Sequence, residues 1–176
     1  MSTGLTAGNA GTGRVAIDTG SDITVTRGTA NVYLGMVLSR QPGSQGTVTV
    51  DGQGSTLISQ GGAGQIGVGR DGAGVLEVTG AAEANEFFFV VGRSDGSDGL
   101  LRVDGEGSRL TASDAVGNFT TCTGYPGFLR AGRDFGSHGS TEVTNSGVID
   151  VQNDPASNYD VPVIKLGRGV HRSRRR

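Results

Sequence analysis

Residues 66–110 read IGVGRDGAGVLEVTGAAEANEFFFVVGRSDGSDGLLRVDGEGSRL, and the second half of this stretch restates the first. Each half opens on a short apolar run that ends in Gly-Arg, at Gly69-Arg70 and at Gly92-Arg93. A Gly/Asp turn follows. Then comes a second apolar alternation, Val75-Leu76-Glu77-Val78 in one half and Leu100-Leu101-Arg102-Val103 in the other. The two Gly-Arg pairs lie 23 residues apart (92 − 69). A period of that size is the signature of a solenoid, in which each repeat is one coil and neighbours bury its apolar face.

Working outward, the same unit recurs along the chain. Apolar-x-apolar-Gly anchors are read at Leu5-Thr6-Ala7-Gly8, Val32-Tyr33-Leu34-Gly35, Ile66–Gly69, Phe89–Gly92, Leu129–Gly132 and Ile164–Gly167. Their glycines are spaced 27, 34, 23, 40 and 35 residues apart. Two further strands follow each anchor with period-2 alternation, as a strand with one buried face requires. The second strands are Arg14–Asp18, Thr47–Val50, Val75–Val78, Leu100–Val103 and Thr141–Val143. Third strands are read at Ser21–Val25, Ser55–Ile58, Ser108–Leu110 and Gly147–Val151, with a weak one near Ala82–Ala84. The corner V-D-G-x-G-S-x-L occurs at Val50–Leu57 and again at Val103–Leu110, 53 residues on (103 − 50) and two coils apart. Insertions at Asp114–Phe128 and Gln152–Val161 both precede an anchor, so they fall on one edge of the stack, often the binding face. The expected fold is all-β: a single-stranded right-handed parallel β-helix of about five three-sided coils. Residues 1–170 form the β-solenoid, and 171–176 a basic disordered tail.

Composition supports that geometry. Glycine supplies 33 of 176 residues, over twice the usual share of about 7%, without the every-third-residue rule of collagen. Apolar residues at 34% are too few for a thick core but suit a thin one. The net charge is −2; without Arg172, Arg174, Arg175 and Arg176 it is −6, which argues against nucleic acid as partner. Cys122 is alone, so no internal disulfide forms. The N-terminal stretch shows no signal peptide, and no apolar run is long enough to insert this segment in a membrane.

GTVTVDGQGSTL (46–57) followed by IGVGRDGAGVLEVTGA (66–81) resembles the repeat shared by passenger regions of bacterial type V autotransporters and some sorted surface proteins of Gram-negative bacteria. The resemblance runs from about Leu5 to Gly169. It implies a parallel β-helix at or beyond the cell surface, secreted or displayed on the outer membrane, often in adhesins, with no catalytic motif. The chain departs from it in two ways. It lacks the translocating barrel, sorting tail and signal peptide, so it is expected to be a fragment of a longer protein, and Ala81-Ala82-Glu83-Ala84 lacks the usual branched residues.

Several groups are candidates for chemistry. Arg70, Arg93, Arg133 and Arg168 each follow an anchor glycine; stacked in register they would line one edge as a strip for acidic polysaccharide or lipid headgroups. The plainer reading is solvated turn residues paired with Asp71, Asp95 and Asp134. Outward Glu77, Arg102 and Glu142 are expected to pair across strands. Asp95, Asp98 and Asp104 offer hard oxygens to calcium, without a matching calcium motif; no other cofactor is expected. Phe87-Phe88-Phe89 and Tyr125 suggest a sugar-stacking spot, against the alternative that one phenylalanine fills the core. His138 and His171 sit in no nucleophile or metal motif. The expected function is a non-catalytic structural or adhesive segment whose partner is a host or environmental polysaccharide or another surface ligand. The alternative is a carbohydrate-active β-helix: a binding module, lyase or hydrolase.

Overall fold

In the computed structural model the residues described are 4–26, 35–60, 65–113, 127–152 and 163–166. They form sixteen strands, numbered in chain order, in three parallel sheets. Sheet A holds β1 (Leu5–Ala7), β4 (Met36–Leu38), β7 (Ile66–Val68), β10 (Phe88–Val91), β13 (Phe128–Ala131) and β16 (Val163–Leu166). Sheet B holds β2 (Thr12–Ile17), β5 (Gln45–Asp51), β8 (Ala73–Thr79), β11 (Asp98–Asp104) and β14 (His138–Thr144). Sheet C holds β3 (Asp22–Thr26), β6 (Thr56–Gln60), β9 (Glu83–Glu86), β12 (Arg109–Ala112) and β15 (Val148–Val151). The chain visits A, B and C in turn and returns one strand further along each sheet, which is a three-sided parallel β-helix of about five coils. At the usual strand spacing the stack is about 24 Å long.

Register makes the core. Val15, Val48, Leu76, Leu101 and Thr141 are stacked partners on sheet B, as are Ile17, Val50, Val78, Val103 and Val143. Sheet A adds Leu5, Met36, Ile66, Phe89 and Leu129; sheet C adds Ile23, Leu57, Ala84, Leu110 and Ile149. Apart from Thr141 and Val143 of the last coil, these side chains form one continuous cluster, sealed in the middle coils. Val143, in the final coil, is 48% exposed while its partner Val103 is fully buried. Each sealed branched side chain contributes roughly 1.5–3 kcal/mol, and only stacking makes the sealing possible.

A second column closes the A-to-B corner. Gly13, Gly46, Gly74, Gly99 and Gly139 stack two residues before the first inward position of sheet B. A Cβ on any of them would run into the backbone of an anchor strand or corner. The two chain segments therefore touch main chain to main chain, which only glycine allows.

The second anchor differs from expectation. Val32–Leu34 lie outside the described residues, and Gly35 is not a corner: Leu5 pairs with Met36 and Ala7 with Leu38, so Ser39 is the equivalent of Gly8. Ser39 turns left-handed at φ 62°, like Gly8 at 73° and Gly69 and Gly92 at 68°. It is a poor residue for that conformation, but its hydroxyl donates to Ala73 O in the next coil. The first spacings become 31 and 30 (39 − 8, 69 − 39). The remaining variation lies mostly between sheets C and A, in segments 27–35, 61–65, 87, 113–127 and 152–162.

The B-to-C corners alternate in length. From the last inward residue of sheet B to the first of sheet C the chain takes six, seven, six, seven and six steps: Ile17 to Ile23, Val50 to Leu57, Val78 to Ala84, Val103 to Leu110, Val143 to Ile149. The longer corners are the two V-D-G-x-G-S-x-L segments. Their side chains tie coils in both directions. Ser55 Oγ accepts from Gly20 N (3.0 Å) and Ser108 Oγ from Ala81 N (3.0 Å), both in the preceding coil. Asp51 Oδ1 accepts from Thr79 Oγ1 (2.6 Å) and Asp104 Oδ1 from Thr144 Oγ1 (2.6 Å), both in the following coil. The structural repeat is thus a pair of coils.

Candidate functional site: an arginine row on the A-to-B edge

The anchor corners carry the arginines. After each corner residue the next amide donates to the corner carbonyl of the preceding coil: Arg93 N to Gly69 O (3.0 Å), Arg133 N to Gly92 O (2.9 Å), Arg40 N to Gly8 O (3.0 Å). The main chain thereby sets Arg70, Arg93 and Arg133 in consecutive coils, as expected. Arg168 lies outside the described residues. Arg40 joins the row, and sequence reasoning missed it because the second anchor was placed four residues too early. Between the second and third coils the ladder steps by one residue, Asp71 N rather than Arg70 N donating to Ser39 O (3.0 Å).

The carboxylates do not neutralise the row evenly. Arg70 pairs with Asp71 (3.3 Å) and Arg133 with Asp134 (3.7 Å). In the fourth coil the equivalent position is Ser94, whose hydroxyl donates to Asp71. Asp95 does not take its place: its Oδ1 lies against Gly136, where a Cβ would collide with it. Arg93 makes no ion pair within 4 Å among the described residues. Burial holds its guanidinium below the ordinary value, and flanking Arg133 and Arg70 push it the same way; Asp71 and Asp134 offset part of this. Arg40 is exposed and likewise without an ion pair among the described residues.

The turn beneath the row is also different in the fourth coil. Ser44 Oγ donates to Gln41 O (2.6 Å) and Ser137 Oγ to Asp134 O (2.7 Å). The equivalent Ser97 is fully buried with no partner for its hydroxyl among the described residues. In the last coil Phe135, two residues after Arg133, is 85% exposed.

Other candidates separate. Asp98 opens β11 and Asp104 closes it, so the three calcium candidates do not converge on one site; Asp104 is taken by Thr144 and Asn145 Nδ2 (2.7 Å). Among the described residues no group of three or more His, Cys, Asp or Glu could hold a metal ion. Arg102 bridges Glu77 (3.1 Å) and Glu142 (2.9 Å) across sheet B, and the Glu142 bond raises its pKa. Phe89 is fully buried in the core and Phe87 is buried too, which removes them from a stacking platform; Phe88 packs on Phe128 at 4.5 Å. Tyr125, Cys122 and His171 lie outside the described residues. His138 stacks over Asp98 at the start of sheet B.

Glu86 was not foreseen. It occupies the inward column of sheet C with Ala112, is fully buried, and accepts Phe87 N on Oε1 (2.8 Å). Its parity with inward Ala84 was the available signal. Compared with known proteins, the chain matches no family model, no curated protein and no solved structure.

Proposed function

We propose that this chain is a non-catalytic structural and adhesive segment of a surface-displayed or secreted bacterial protein, of the autotransporter-passenger kind. One observation carries the reading. Five charged side chains on the strand faces are spent on coil-to-coil ties: Arg102 takes both Glu77 and Glu142, and Arg109 takes Asp150 at 2.8 Å. Polysaccharide lyases and hydrolases built on this fold need a free acid–base pair or an arginine base on one face. Carboxylates held by one arginine are poorly suited to that task and well suited to holding coils together. A stiff stack with variable segments on the C-to-A edge suits a part that carries loops away from a cell.

Two measurements test this. Antibody against the chain is expected to label intact cells of the source bacterium as strongly as permeabilised ones; labelling only after permeabilisation overturns display. Incubation with acidic polysaccharides is expected to release no reducing or unsaturated ends. Release would establish the carbohydrate-active alternative.

A further inference from the structure

We propose that the row Arg40, Arg70, Arg93 and Arg133, with Phe135 beside its last member, binds a linear acidic polysaccharide laid along the solenoid axis. The proposal deepens the adhesive reading by giving it a ligand class and an address.

The argument starts from an imbalance. Four arginines line the edge, and two of them have a carboxylate in reach. The replacement of Asp by Ser at position 94 leaves Arg93 unneutralised between two like charges, and half-buried. Like charges in adjacent coils repel, so the free protein holds this row at a cost. An anion over Arg93 removes the repulsion and supplies the missing charge-assisted bonds. The middle of the row is where the gain is largest.

Spacing and shape select the ligand. Strand stacking puts Arg70, Arg93 and Arg133 at intervals of about 4.8 Å in a line one residue wide, with Arg40 one residue to the side at its end. A flexible chain carrying single carboxylates or sulfates can follow such a line. A nucleic-acid duplex presents charge across a broad surface and would meet Asp71, Asp95 and Asp134 beside the row, on a body whose net charge without the terminal arginines is −6. A bilayer needs a flat cationic face, which a single-file row is not. Exposed Phe135 offers an apolar face to a sugar ring at the end of the line.

The test uses the full chain and polygalacturonate as probe, with neutral dextran as control, by calorimetric titration across a salt series. Binding to polygalacturonate alone is expected, weakening as salt rises. Arg93→Gln is expected to cut affinity about fivefold, the scale of one partly exposed charge contact, with the melting temperature unchanged or raised. Arg102→Gln, on the sheet B face, is expected to keep full affinity. The site is overturned if no binding occurs, or if Arg93→Gln and Arg70→Gln leave it intact while replacing Arg172, Arg174, Arg175 and Arg176 by Ser removes it. Equal competition by duplex DNA or phosphatidylserine vesicles overturns the saccharide assignment. Loss of the site leaves surface display standing. Binding with cleavage keeps the site and sinks the non-catalytic reading.

Discussion

At Ala81 and Gly20 a single amide hydrogen decides how one coil sits on the next. Both amides belong to short corners and find their acceptor in a serine of the longer corner that follows, Ser108 or Ser55. Ser108→Ala removes that acceptor at a fully buried position. The expected cost is about 1–3 kcal/mol, that of an unsatisfied buried donor, read as a lower melting temperature. The opposite change is available in the last coil. Asn145 and Ser146 both turn left-handed, at φ 50° and 66°, and Ser146 is exposed. Ser146→Gly is expected to stabilise by about 1 kcal/mol, because glycine enters that region without the Cβ penalty. No change in melting would mean that this corner is not held left-handed in solution. Asp104 adds a pH dependence. The bonds from Thr144 and Asn145 hold its carboxyl below the ordinary value. Their contribution is complete above the unfolded carboxylate pKa of about 3.9 and is lost as pH falls through the lower folded value. Asp104→Asn should therefore lower the melting temperature more at about pH 7 than at about pH 2. An equal loss at both would deny that the ionised form is what the two donors hold.

Single bonds of this kind refine elements that side-chain alternation has already chosen. β8 shows how much of that choice is legible. Val75-Leu76-Glu77-Val78 alternates with period 2, and the structure buries Leu76 and Val78 fully while turning Glu77 outward to Arg102. Val78→Asp places an unpaired charge in the centre of the stacked column, where no water reaches it. The expected loss is about 4 kcal/mol or more, with cooperative unfolding of the described coils followed by circular dichroism. A melting curve like that of the parent would contradict the register of sheet B. What stayed illegible has physical causes. Ser39 does the work of a glycine, so the second anchor lost its marker; Gly35, beside an apolar run, offered a false one. The stacked glycines from Gly13 to Gly139 were visible in composition, but their purpose appears only when two strands meet at a corner. Glu86 sits on a strand with alanine where branched residues were expected, and a carboxylate at an inward position reads as an error of phase until the register is known. Of the arginine row, three members were readable from Gly-Arg pairs. Arg40 and the uneven neutralisation around Arg93 needed coordinates, since pairing depends on which neighbour each side chain reaches.

Across the whole molecule the alternating corners impose a rule that no single coil obeys alone. A long corner gives its serine to the coil before and its aspartate to the coil after, so each short corner must lie between long ones or at an end. Repeat proteins are ordinarily expected to lose stability with each unit removed, since stability sums over units and their interfaces. Here the pairing rule opposes length. Deleting residues 51–103 joins Val50 to Asp104, two equivalent points on sheet B, and brings the Asp104–Ser108 corner where Asp51–Ser55 stood. Long and short corners still alternate, and Ser108 meets Gly20 as Ser55 did. Deleting residues 51–78 joins Val50 to Thr79 and keeps one more coil. It sets the short corner at Gly80-Ala81 directly on the short corner at Thr19-Gly20, where Asp18 takes the place of Asp51 under Thr79 but no serine is left to accept the Gly20 amide. The longer variant is therefore expected to melt below the midpoint between the shorter variant and the intact chain. One unmet, half-buried bond at about 1 kcal/mol sets the shortfall, since the retained coil otherwise returns the burial of its own side chains. Thermal denaturation of the two deletions and the intact chain decides it: if the longer variant melts at or above that midpoint, the coils are independent units and the two-coil repeat has no energetic meaning.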